Sequence, residues 1–140
     1  MQLFIKKLHP DATVPRFAHA NDAGLDLYTV VDVTIVPGER ATIPTGIALQ
    51  IPPGCVGLIW DKSGIAQKGG LKSLGGVIDA GYRGEIFVGL INTGAEPYKF
   101  TTGQKVAQML IQKIEQPEII VVDDLEDSER GTGAFGSTGA

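Results

Sequence analysis

The sequence predicts an all-β fold, a sandwich or barrel with at most one short helix. Three observations carry that prediction: apolar runs are short, turn residues separate them at close intervals, and glycine is abundant. The 140 residues include 19 glycines, about twice the usual share of ~7%. With 8 prolines added, the composition suits many tight turns and short strands.

Taken in order, Val31, Val33 and Ile35 alternate with polar residues before the Pro37-Gly38 turn, the period of a half-buried strand. The stretch ATIPTGIALQIPPG, residues 41–54, reads as two further short strands closed by Pro52-Pro53-Gly54. CVGLIW, from Cys55 to Trp60, is a buried strand, and SGIAQKG, from Ser63 to Gly69, is the one helical stretch. GGVIDAGYRGE, residues 75–85, predicts a hairpin in which Val77 and Ile78 descend, Asp79-Ala80-Gly81 turn, and Tyr82 begins the return. GEIFVGLINTG (84–94), QKVAQMLIQKI (104–114) and EIIVV (118–122) supply three more strands. Val106, Met109, Leu110 and Ile114 also fit a helical period, and the β context decides between the two. One β domain is expected over 1–125. The chain then turns acidic and ends in a glycine-rich arm, 126–140, expected to be mobile.

Charge and cysteine content narrow the function. Twelve Lys+Arg against 16 Asp+Glu leave a net charge of -4, which argues against a general nucleic-acid binder. A phosphate ligand would need a local cluster, with a metal ion sharing the charge. Cys55 is the only cysteine, so no internal disulfide forms and a reducing compartment is expected. Lys6 and Lys7 follow the few apolar residues at the start, the reverse of a secretory signal, and no run approaches membrane-spanning length. A soluble, cytoplasmic protein that binds no membrane is the expectation.

Some apparent motifs fail their context. Gly131, Gly133 and Gly136 spell G-x-G-x-x-G, but no strand precedes them and no helix follows. GLIWDKS has Asp61 where a P-loop needs glycine. His9 and His19 have no metal-ligand spacing around them and read as surface residues. With one cysteine and these histidines, a Cys-His or Ser-His-Asp nucleophile is not expected.

Five segments remain, each with a plainer reading when taken alone. AGLDL places Asp26 between two inward-facing leucines, where a strand-edge carboxylate capping a turn would serve as well. DKSGIAQKG offers Lys62, the Ser63 hydroxyl and the Gly64 amide before the short helix, an anion site or an ordinary cap. GGVIDAGYRGE puts Asp79 at a turn, where aspartate is common. GQKVAQ sets Gln108 on a strand. RGTGAFGSTG combines Arg130, which can fork onto a phosphate, with Phe135, which can lie over a flat ring, and with Ser137, Thr138 and glycine amides that can wrap an anion. A disordered tail is its plain alternative.

In this order and spacing the five segments resemble the motifs of the trimeric dUTPases, from residue 23 almost to the last residue. The resemblance implies a jelly roll, a homotrimer with active sites shared between subunits, and hydrolysis of dUTP to dUMP and pyrophosphate with Mg²⁺. Motif three of one subunit would hold the nucleoside, motifs one, two and four would come from a neighbour, and motif five from the third chain. Asp79 would be the general base that aims a water at the α-phosphorus. Gly76, Val77, Ile78 and Phe87 would surround uracil, and Tyr82 would pack under the deoxyribose. Lys62, Ser63, Gly64 and Gln108 would take the phosphates. Arg130, Gly136, Ser137 and Thr138 would close over them, with Phe135 on the base. No direct protein ligand to Mg²⁺ is expected, with Asp26 supporting its water shell. The family's usual P-R-S-G reads Asp61-Lys62-Ser63-Gly64 here, so the bidentate fork is lost. Ser73 stands where many relatives have an Asn toward the nucleoside. The dCTP deaminases share the fold but carry a glutamate where this chain has Gly89, and a silent jelly-roll binding protein would have no use for a general base.

Overall fold

In the computed structural model, which describes residues 1–134, alternation of inward and outward side chains builds ten strands and one helix. They are β1 (Phe4–Lys7), β2 (Leu25–Tyr28), β3 (Val33–Ile35), β4 (Arg40–Gln50), β5 (Cys55–Trp60), α1 (Ser63–Gly69), β6 (Leu71–Leu74), β7 (Val77–Asp79), β8 (Glu85–Asn92), β9 (Tyr98–Phe100) and β10 (Lys105–Lys113). Two four-stranded sheets form, in the orders β1-β4-β8-β6 and β2-β10-β5-β7, with β3 and β9 as a separate pair. Every ladder is antiparallel. Non-consecutive neighbours within both sheets give the jelly-roll pattern expected from the sequence.

The core follows from the period of two. Along β8, Ile86, Val88 and Leu90 are buried, while Phe87 between them is turned outward. They pack with Leu27, Ile43, Ile47, Phe100, Val106 and Met109 in one apolar cluster. Each such side chain contributes roughly 1.5–3 kcal/mol by leaving water. No helix among the described residues is long and apolar enough to cross a membrane. His9 and His19 are both exposed.

Four elements differ from expectation. Residues 41–54 do not form two strands: Pro44 and Gly46 lie inside β4, which runs unbroken over 11 residues. Gly46 has a left-handed φ of +67°, and pairing with β8 shifts between Pro44 and Ala48. The turn residues therefore mark a bulge, not a break. Glu85 fixes it by accepting the Gly46 amide at 2.8 Å on its Oε1.

Val31 lies outside the strand that begins at Val33, because it is drawn into a turn by the Thr29 hydroxyl, which bonds both its N–H and its carbonyl. Residues 77–82 are not a ladder-paired hairpin. The turn exists, with the Tyr82 amide donating to the Asp79 carbonyl at 3.0 Å, but β7 pairs with β5 and β8 belongs to the other sheet. Last, 118–122 forms no strand and pairs with none among the described residues: Ile119 is 90% and Val121 93% exposed.

Candidate active site

The separation of β7 from β8 creates the first half of the site. On one side, β7 pairs with β5, Asp79 opposite Val56 and Val77 opposite Leu58. On the other, β8 pairs with β4 from Glu85 to Ile91, and only Gly89–Asn92 pairs with β6 as well. The edges of Val77–Asp79 and Glu85–Val88 that face one another therefore carry peptide groups outside any ladder. Unpaired peptide groups seek partners, and a flat heterocycle with donors and acceptors along its rim supplies them. The opening has a volume of about 270 Å³ and is lined by Val77, Ile78, Asp79, Tyr82, Glu85 and Phe87.

Local bonds hold this opening in shape. Gly76 begins the descent at φ +107°, and its carbonyl accepts the Ile59 amide at 2.8 Å. The Tyr82 hydroxyl donates to the Glu85 carbonyl at 3.0 Å, which lays the ring along the return path. Arg83 Nη1 donates to the carbonyls of Ala80 (2.7 Å) and Tyr82 (2.8 Å), clamping the turn. The Asp79 carboxylate is exposed at the rim and makes no ion pair among the described residues. Arg83 is a residue the sequence reading passed over; its place one residue after the turn was the available signal.

The second half is a row set by strand register. Gln108 on β10 stands opposite Asp26 on β2 and opposite Trp60 on β5. Trp60 leads directly into Asp61, Lys62, Ser63 and Gly64. Gln108 Nε2 donates to the Asp61 carbonyl at 2.8 Å, tying β10 to this turn. Ser63 and Gly64 open α1, both exposed and with no side-chain cap. Their amides precede the first intrahelical bond.

Charges in this row are arranged in pairs. Asp26 is only 3% exposed, which makes it a buried residue and not the turn-capping edge carboxylate of the plainer reading. Its Oδ1 accepts Lys62 Nζ at 2.6 Å, and its Oδ2 lies 2.6 Å from Lys105 Nζ. Burial pushes the Asp26 pKa up, but the bonds and charges of Lys105 and Lys62 outweigh it and hold the group below the usual 3.8. Lys105 is raised by its bond to Asp26. The departure from the family's motif is also accounted for: Asp61 turns away from the row, its Oδ1 accepting the Ser73 amide and its Oδ2 the Lys72 ammonium, each at 2.7 Å. Ser73 thus stands in β6 with its backbone joined to the DKSG turn.

The structure gathers Gly76, Val77, Ile78, Asp79, Tyr82 and Phe87 in one place, and Asp26, Lys62, Ser63, Gly64 and Gln108 in another. Asp79 and Lys62 lie toward opposite ends of β5, because Asp79 faces Val56 and Lys62 follows Trp60, with Val77 opposite Leu58 between them. At ~3.3 Å per residue these two side chains are about 13 Å or more apart along the strand. Arg130 Nε donates to the Gly133 carbonyl at 2.9 Å within its own turn. Phe135, Gly136, Ser137 and Thr138 lie outside the described residues.

Three comparisons say what the chain is similar to. The dUTPase family model matches residues 10–139. The chain is 51% identical to the deoxyuridine 5'-triphosphate nucleotidohydrolase of Thermobifida fusca, over 96% of this chain and 77% of that protein. It is 48% identical to the protein of the same name in Clostridium kluyveri, over 99% of both. A Staphylococcus bacteriophage 80alpha dUTPase variant solved with dUpNHpp superposes with a TM-score of 0.94 and 32% identity, covering 99% of each chain. A variant of the phage phi11 dUTPase of S. aureus, in which coordination of a structural Mg(II) ion was described, gives a TM-score of 0.84 at 29% identity, over 91% of this chain and 100% of that one.

Proposed function

The chain belongs to the dUTPase family and has its activity, dUTP diphosphatase; we propose that it cleaves dUTP to dUMP and pyrophosphate in sites built between three copies of itself. The observation that carries this reading is the opening between β7 and β8, with peptide edges outside any ladder and the Asp79 carboxylate at its rim. Uracil enters edge-on and bonds those peptide groups of Val77–Asp79 and Glu85–Val88 that the bonds from Tyr82 to the Asp79 and Glu85 carbonyls leave free. A site of this kind rejects a base with the wrong donor pattern strongly, because buried polar groups are left unpaired. The Tyr82 ring lies under the deoxyribose and leaves no room for a 2′-hydroxyl.

Asp79 accepts a proton from a bound water as the water oxygen attacks the α-phosphorus. The bond from that phosphorus to the bridging oxygen breaks, and pyrophosphate leaves with the electron pair. A positioned base of this type contributes about 10²–10⁴ in rate. Lys62, the Ser63 hydroxyl, the Ser63 and Gly64 amides and Gln108 hold the phosphates. Arg130, Phe135, Gly136, Ser137 and Thr138, carried on the arm 126–140, close the site.

The donor set bears on magnesium. Among the described residues no three His, Cys, Asp or Glu side chains come together. Asp26 has an ammonium on each oxygen, and Asp79 is a lone carboxylate. These residues do not fit an ion held by the protein. They fit one that would arrive with the triphosphate and would screen its charge. Asp26 serves as an ion-pair anchor in preference to supporting that water shell.

Asp79→Asn tests the reading. The expected result is a fall in kcat of about 10³-fold with the affinity for a non-hydrolysable dUTP analogue unchanged. Pyrophosphate release near the wild-type rate would remove Asp79 from the mechanism, and ammonia release from dCTP would move the chain to the deaminases.

A further inference from the structure

Lys105 stands outside the residues that bind or react in the reading above, yet its ammonium shares a carboxylate with one of them. Asp26 is buried and holds Lys62 on one oxygen and Lys105 on the other, each at 2.6 Å. The three groups carry one net positive charge. Both lysines are partly exposed and come from different elements, Lys62 from the turn after β5 and Lys105 from the start of β10. Of the two, only Lys62 adjoins the amides of Ser63 and Gly64. To reach a phosphate seated there, its Nζ has to leave Asp26.

We propose that Lys105 is a positioning residue: it stays on Asp26 Oδ2 and so releases Lys62 from Oδ1 to the triphosphate. The inference rests on the dUTP reading of this site. A buried carboxylate deprived of every counter-charge is strongly unfavourable. With Lys105 in place, the departing Lys62 leaves behind a compensated pair and carries a full positive charge to the phosphates. Without Lys105, Lys62 becomes the sole counter-ion of a buried anion and is held there. The bond to Asp26 also raises the Lys105 pKa, so its charge persists across the neutral range. Two lysines on one carboxylate thus act as an anchor and a mobile arm, assigned by which of them adjoins the phosphate turn.

The test uses Lys105→Met and Lys105→Arg in the full-length chain, each also in an Asp26→Asn background. Steady-state kinetics with dUTP, calorimetry with inorganic tripolyphosphate and thermal melting are read for each. Lys105→Met is expected to raise both KM and the tripolyphosphate Kd about tenfold, with kcat changed by less than about twofold. Lys105→Arg restores both. In the Asp26→Asn background Lys62 has no carboxylate to leave, and Lys105→Met has no further effect there. An equal loss in both backgrounds would mean that Lys105 touches phosphate itself and would overturn the inference. A lower melting temperature with KM and Kd unchanged would overturn it too, by leaving Lys105 a purely structural part. If Lys105→Met does not fold, Lys105→Gln carries the same comparison. The tripolyphosphate Kd is read without turnover, so a wild-type chain inactive on dUTP would sink the functional reading and leave this measurement to decide the inference.

Discussion

Asp26 sits between Leu25 and Leu27 in a strand whose four residues are all buried. Burial opposes its charge, and two ammonium groups restore it, so its pKa in the folded chain lies below the ordinary 3.8. A carboxylate with a depressed folded pKa stabilises the fold above its unfolded value, and that contribution is lost as pH falls through the folded one. Asp26→Asn is therefore expected to lower unfolding stability by about 2 kcal/mol at pH 7. The gap to wild type should close as the pH drops below 3.8. Denaturant titrations at several pH values read this directly. Asp61 shifts in the same direction but is common to both proteins and cancels from the difference. A gap that stays constant with pH would mean that the ion pairs on Asp26 do not stabilise the fold.

Among the elements, β7 does the most with the fewest residues. Three residues hold Asp79 at the rim of the opening, and Gly76 sets their direction. A Cβ at Gly76 would lie 2.8 Å from the Ile59 carbonyl oxygen, on a backbone already at φ +107°. Gly76→Ala should cost about 2 kcal/mol and reduce kcat/KM, because Val77–Asp79 must shift off β5. An unchanged kcat/KM would show that the descent is set elsewhere. Local signals made some elements legible: CVGLIW and SGIAQKG became β5 and α1 with the expected bounds. Pro44 and Gly46 looked like a break because a bulge and a turn draw on the same residues, and only the Glu85 contact 39 positions away tells them apart. Asp79 and Gln108 could be singled out from the sequence, whereas Lys105 and the Asp61–Ser73 link could not. Both depend on register between distant strands, which no local pattern encodes.

At the scale of the whole molecule, one chain holds Asp79 and its phosphate row toward opposite ends of β5. Ile119, Val121 and Leu125 stand almost wholly in water and Ile120 mostly so, an apolar segment that calls for cover from outside the chain. Both facts favour a site completed across copies, Asp79 from one acting on a triphosphate held by Lys62, Ser63 and Gln108 of another. The direct measurement mixes two disabled chains. Asp79→Asn and the double variant Lys62→Met/Gln108→Ala, carrying different tags, are co-expressed in equal amounts, and trimers bearing both tags are assayed for pyrophosphate release from dUTP. Neither parent is expected to turn over. The unselected mixture should recover about one quarter of wild-type activity, the chance at random assembly that a site draws an intact chain for each half, and the doubly tagged trimers somewhat more. Mixed trimers as inactive as their parents would place both halves of the site in a single chain and contradict the account.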